Sequence, residues 1–210
     1  MVYEKFEALF EAKVSTVATS GDPAHDILHF KRVVKLAKII AAAEQANFDI
    51  VVPAAWLHDL VNVPKNDQRR SQASKLSAEA AVLFLQEVKY PEIFWNDIAH
   101  AIEAHSYSAN VKTRSLESQV VQDADRLDSI GAIGLARCFA TAAIMKRPFY
   151  FEQDAFCENR IPDDSLYTID HFYKKLLVIE EKLNTKSAKK IGQRRTQYLK
   201  DYLVTLKEEI

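Results

Sequence analysis

Apolar residues recur every three or four positions along most of this chain, the spacing of helices that each bury one stripe. The pattern predicts a first helix over residues 2–19, ended by the turn residues Ser20-Gly21-Asp22-Pro23. A second helix is expected from about His25 to Ala46. Asn47-Phe48-Asp49 ends it, with Asp49 placed to cap a third helix that runs to about Asn62 and carries Pro53 in its first turn. Further helices are expected over about 71–88 and 92–106, and from Ser115 onward with a break at Gly131 or Gly134. Residues 147–167 read as irregular, with Pro148, Pro162 and Asp163-Asp164. Two amphipathic helices, about 168–184 and 187–208, close the chain. No segment alternates with period two, and there is no internal repeat or low-complexity tract. The expected class is all-α, a core over 1–146 with 147–210 packed on it as a helical lobe of the same domain.

Four glycines and six prolines in 210 residues agree with long helices rather than a turn-rich β fold. A formal net charge of −1 argues against broad nucleic-acid binding and leaves room for a locally basic pocket. Cys138 and Cys157 lack CxxC spacing and read as ordinary thiols. The first residues, MVYEKFEALFEAK, are charged along their apolar stripe and hold no signal-peptide core. No uncharged apolar run is long enough to cross a bilayer. The expectation is a cytoplasmic protein with no membrane partner.

Some of the polar residues sit where apolar ones belong. His29 shares its stripe with Val33, Leu36 and Ile40. His58-Asp59 ends the apolar run VVPAAWLHDLV, and Asp125 lies four residues after Val121. A carboxylate aimed into a helical core needs a positive partner, which a metal ion supplies and so would a buried arginine. Two imidazoles and two carboxylates suit Mn²⁺, Fe²⁺, Co²⁺, Ni²⁺ or Zn²⁺ better than Ca²⁺, with Mg²⁺ also admitted. His25-Asp26 is a second His-Asp pair, and His25, four residues before His29, reads as a first-turn residue at the pocket mouth. The polar loop VNVPKNDQRRSQ follows Asp59 directly. Its Lys65, Asn66 and Arg69 are candidates to bind phosphate, and Arg70 is a weaker one. His105 shares an apolar face with Ile98 and Ile102. A lone inward histidine is usually a core residue, but a loop with Lys112 and Arg114 follows it, so contact with a phosphate or protonation of a leaving oxygen is the functional reading. Arg32 and Asp128 read as ion partners that orient site residues, with Asp128 also a catalytic candidate. His171 reads as structural.

The segments HDILHFKRV, AAWLHDLVNVPKN, LSAEAAVLFL, IAHAIEAHSYS and VVQDADRLDSIGAIGLAR together resemble the HD-domain metal-dependent phosphohydrolases, in particular the short bacterial members described as predicted phosphohydrolases. The resemblance covers about residues 20–145. It implies an all-helical HD-domain core and one divalent ion held by His29, His58, Asp59 and Asp125. The choice of Asp125 over Asp123 or Asp128 comes from aligning ADRL with the family's Ala-Asp-basic-Leu element. The implied activity is hydrolysis of a nucleotide or similar small phosphate ester through a metal-bound water, as a nucleotidase or a nucleoside triphosphate pyrophosphohydrolase. A homodimer is compatible with this reading. Several nucleotide-hydrolysing relatives carry a glutamate three residues after the HD aspartate, where this chain has Asn62, an amide that cannot act as a general base. The helix near Ser74–Ala78 also lacks the extra histidine of two-metal members, so a single ion is expected. The alternative is a metal-containing sensor that binds a nucleotide without turnover.

Overall fold

The computed structural model describes residues 1–18, 26–61, 63, 69–106 and 109–210. Among them are nine α-helices and no strand: α1 (Glu7–Val17), α2 (Ile27–Glu44), α3 (Phe48–Leu57), α4 (Ala73–Glu87), α5 (Trp95–His105), α6 (Leu116–Asp128), α7 (Gly131–Ile144), α8 (Thr168–Lys174) and α9 (Lys186–Glu209). The chain divides into two compact units. One comprises Met1–Asp125 with Asn184–Ser187, the other Arg126–Leu183 with Ala188–Ile210. No single helix among the described residues is long and apolar enough to cross a membrane.

The first unit is organised around α3, in which every residue from Ile50 to Leu57 is buried. A short helix apolar on all sides must be covered on all sides, and α3 packs against α1, α2 and α5. Polar groups fix its neighbours: Glu7 on α1 accepts from Lys38 on α2 at 2.7 Å and from the Trp56 indole on α3 at 3.0 Å. Helix α2 begins one residue after Asp26, whose carboxylate accepts the His29 amide at 2.8 Å. The acid of the second His-Asp pair is therefore a helix cap.

The cap of α3 differs from expectation. Asn47, not Asp49, caps it, accepting the Asp49 amide at 2.9 Å, while the Asp49 carboxylate binds the Tyr3 amide at 2.9 Å. Two residues of earlier start place Pro53 in the second turn, where its missing N–H orphans the carbonyl four residues back. That carbonyl belongs to Asp49, and the buried Tyr90 hydroxyl donates to it at 2.7 Å. Helix α3 also stops at Leu57 rather than near Asn62, so His58 and Asp59 occupy the turn that follows it.

In the second unit the break before α7 falls at Ser129-Ile130. Gly131 opens α7 at φ +77°, where a Cβ would sit 3.0 Å from the Arg195 side chain. Residues 147–167 are irregular as expected, and Arg160 is one of the groups that hold them. Arg160 lies 5.3 Å from the ring centres of both Phe151 and Tyr167, and its guanidinium makes 2.5 and 2.7 Å bonds to the fully buried Asp170. The helix expected over 168–184 is one α-helical segment, Thr168–Lys174, followed by 3₁₀ turns at Leu176–Val178 and Glu180–Lys182. The Lys182 carbonyl accepts from Arg126. His171 binds the Asp164 carboxylate at 2.9 Å. Cys138 and Cys157 are free thiols, both pushed up to about 11, chiefly by burial.

The Tyr90 hydroxyl gives the fold its simplest test. Tyr90→Phe should destabilise the first unit by about 1–2 kcal/mol, because the Asp49 carbonyl is left buried without a donor. Thermal and urea melts of the variant would read it, and a variant as stable as the parent would show that another group satisfies that carbonyl.

Candidate metal centre

His29 comes from the first turn of α2, His58 and Asp59 from the turn after α3, His105 from the last residue of α5 and Asp125 from α6. All five lie in the first unit. The three imidazoles are buried, at 2%, 0% and 4% exposure for His29, His58 and His105. The Asp59 and Asp125 side chains keep 25% and 27% of theirs, so the carboxylates form the solvent-facing side.

Helix ends set the direction of two rings. The last carbonyls of a helix have no partner within it, and His58 Nδ1 lies 2.9 Å from the carbonyl of Ala55. A carbonyl only accepts, so Nδ1 carries the proton and Nε2 presents a lone pair. His105 Nδ1 likewise donates to a carbonyl, that of Ile102, at 2.5 Å. The Nε2 atoms then converge with the carboxylates. His29 Nε2 and His58 Nε2 are 3.3 Å apart. Asp125 Oδ1 lies 3.6 Å from the first and 3.8 Å from the second. Asp59 Oδ2 is 3.6 Å from His58 Nε2, and Asp59 Oδ1 is 3.4 Å from His105 Nε2. His29, His58 and Asp125 thus form one group able to hold a metal ion, and His58, Asp59 and His105 a second that shares His58.

The donor set fits a divalent ion. Ligands about 2.1 Å from an ion stand roughly 3.0 Å apart at octahedral and roughly 3.4 Å apart at tetrahedral angles. The spacings of 3.3–3.8 Å that join His58 to His29, Asp125 and Asp59, and Asp125 to His29, lie close to these values, with Asp59 linked to the first three through His58. A metal also needs neutral imidazole. Burial pushes His58 down to about 4, against the opposing pull of Asp59, so its ring is neutral. Burial pushes His105 down as well, but the hydrogen bond and charge of Asp59, with Asp125 and the Ile102 carbonyl, outweigh it and raise the ring to about 9. With the side chains alone, His105 is therefore a cation facing Asp59.

Of the remaining sequence candidates, His25, Lys65 and Asn66 lie outside the described residues, as does Asn62. Arg69 is exposed in the turn leading to α4. Arg114 turns to the other face of α5, where its amide donates to His100 Nε2 at 3.1 Å. The Asp128 carboxylate belongs to the second unit and binds Arg137 at 2.6 Å. Asp123 is fully buried and bound to Asn184 and Thr185, which leaves Asp125 as the α6 carboxylate beside the imidazoles. Gln122 and Asn184, absent from the sequence candidates, join that network through a 2.9 Å bond. The signal available for Asp123 was its helical spacing from Val120 and Leu127, both fully buried. Nothing in the sequence pointed to Asn184, which is distant along the chain.

Buried imidazoles meeting carboxylates on a helical frame define the class: a site able to hold a divalent metal. The HD domain family matches residues 27–130. YpgQ of Bacillus subtilis is 30% identical over 202 residues, spanning 94% of this chain and 90% of that protein. The crystal structure of YpgQ in complex with ADP superposes with a TM-score of 0.75 at 29% identity, covering 97% of each chain. An HD-superfamily hydrolase from Bacillus thuringiensis gives 0.76 at 29% identity over 100% of this chain and 98% of the other. The chain belongs to the HD-domain family, and its fold is that of the HD-superfamily hydrolases.

Binding of an ion to the folded site alone raises stability by about 2.7 kcal/mol at a hundredfold excess over Kd. Adding Mn²⁺ should therefore raise the melting temperature of the parent by several degrees, and Asp59→Ala should remove that increment while retaining the helical circular-dichroism signal. An equal Mn²⁺ shift in parent and variant would remove Asp59 from the site.

Proposed function

We propose that this protein is a metal-dependent phosphohydrolase acting on a nucleotide or similar small phosphate ester. The observation that carries the reading is the convergence of His29 Nε2, His58 Nε2 and Asp125 Oδ1, with the Asp59 carboxylate beside them, 3.6 Å from His58 Nε2 and 3.4 Å from His105 Nε2. ADP in the YpgQ complex supports a nucleotide as the ligand.

In this reading His29, His58, Asp59 and Asp125 hold one divalent ion, of Mn, Fe, Co, Ni, Zn or Mg. Such an ion supplies a Lewis acid for a phosphoryl oxygen and lowers the pKa of bound water. The side chains do the rest. His58 is kept neutral by burial and aimed by the Ala55 carbonyl. His105, aimed by the Ile102 carbonyl, holds a proton at Nε2 beside Asp59 and delivers it to the leaving oxygen. Arg69 offsets phosphate charge from its exposed turn, together with Lys65, Asn66 and His25. Asp128 is assigned to orienting Arg137 rather than to contact with substrate. The second reading, a nucleotide-binding sensor without turnover, rests on the amide at Asn62 and is separated by the same experiment.

That experiment is a screen of nucleotides with Mn²⁺, Co²⁺ and Mg²⁺ that measures both orthophosphate and pyrophosphate. Orthophosphate identifies a monoesterase or a terminal-phosphate reaction, pyrophosphate an α–β cleavage. His105→Ala should lower kcat by about 10²-fold or more with metal content unchanged. Binding without release of either product across the screen would favour the sensor.

A further inference from the structure

Asn184–Ser187 belongs to the first unit although it lies late in the sequence. Asp123 on α6 has no exposed surface, and a buried carboxylate is tolerable only when donors saturate it. Here the donors come from this short strap. The Asn184 amide reaches Asp123 Oδ1 at 2.9 Å and Oδ2 at 3.1 Å, and the Asn184 side-chain amide reaches Oδ1 at 2.9 Å. The Thr185 amide and hydroxyl both reach Oδ2 at 2.8 Å. Asn184 Nδ2 also donates to Gln122 Oε1 at 2.9 Å, and Gln122 Nε2 donates to the Ala104 carbonyl at 2.7 Å, one residue before His105. At the end of the strap, the Ser187 amide donates to Glu44, the last residue of α2, at 2.7 Å.

Asp123 and Asp125 are two residues apart on one helix, about 200° around its axis. Anchoring Asp123 to the strap therefore sets the rotation at which Asp125 faces His29 and His58. The tolerance is small. A side-chain end roughly 5–6 Å from the axis moves about 1 Å for a 10° rotation, whereas metal–ligand distances hold to about 0.2 Å. The Gln122 bond adds a second constraint, tying α6 to the end of α5 that carries His105.

We propose that Asp123, Gln122, Asn184 and Thr185 are positioning residues for the metal centre. The strap fixes the rotation of α6, and so the aim of Asp125, and sets the end of α5 against it. The proposal rests on the reading of His29, His58, Asp59 and Asp125 as metal ligands.

The test is Mn²⁺ affinity, measured by calorimetry and by loss of the free-ion electron paramagnetic resonance signal, on the full chain well below its melting temperature. Asn184→Ala and Thr185→Val should each weaken Mn²⁺ binding by about 10-fold or more. Thr185→Ser, which keeps the hydroxyl, should stay within about threefold of the parent. Tyr90→Phe removes a different buried hydrogen bond from the same unit and should leave affinity at the parent value. Parental affinity in both Asn184→Ala and Thr185→Val, or an equal loss in Tyr90→Phe, would overturn the positioning role, because the strap would then contribute stability alone. If instead the parent binds no Mn²⁺, or Asp59→Ala binds as well as the parent, the metal reading itself fails and the positioning role falls with it.

Discussion

The ends of two helices hold this site together. Helix α3 stops at Leu57 and α5 stops at His105, and each leaves carbonyls that helical bonding does not consume. The His58 N–H answers this need at Ala55, and the His105 N–H turns back in the same way to the Ile102 carbonyl at the end of α5. Each bond turns the other ring nitrogen toward the carboxylates, and in neutral His58 it also fixes the tautomer. Orientation of these two rings thus follows from how the helices terminate. Had α3 continued to Asn62, the Ala55 carbonyl would have taken the Asp59 amide and His58 would have lost its anchor.

Burial then sorts the groups by task. His58, fully enclosed, is kept neutral, the form a metal ion would need. His105, equally enclosed but bonded to Asp59, is pushed the other way. The difference is chiefly the hydrogen bond of His105 to Asp59 at 3.4 Å, with Asp125 and the Ile102 carbonyl adding to it. Asp59 and Asp125 keep about a quarter of their side chains exposed, so the carboxylates face solvent and the imidazoles close the inner side of the cluster.

Much of the helical frame was legible because 3.6-residue periodicity survives any detail of packing. The stripes through His29 and through Ile98, Ile102 and His105 pointed inward as read, while Asp125, four residues after the buried Val121, lies at the half-buried edge of its stripe. What the sequence concealed were competitions among groups with equal local claims. Asn47 and Asp49 were both adequate caps for α3. The choice fell to Asn47 because Asp49 was needed by the Tyr3 amide. That choice moved Pro53 into the second turn and created a need met by Tyr90, 41 residues from Asp49. The stretch 168–184 kept an amphipathic pattern yet broke after Lys174 into 3₁₀ turns. Asp123 and Asp125 are equally acidic neighbours, and only the remote donors of Asn184 and Thr185 show which of them is already occupied. Local pattern reports which way a side chain points, whereas its partner across the fold depends on the tertiary arrangement.

The central claim is that four side chains from α2, α6 and the turn after α3 make one metal centre. A crystal grown with Mn²⁺ and measured for anomalous scattering tests it most directly. The account predicts a single strong anomalous peak bonded to His29 Nε2, His58 Nε2, Asp59 and Asp125, at about 2.0–2.3 Å. Well-ordered crystals with no peak at these atoms, or with manganese held only elsewhere on the chain, would contradict it.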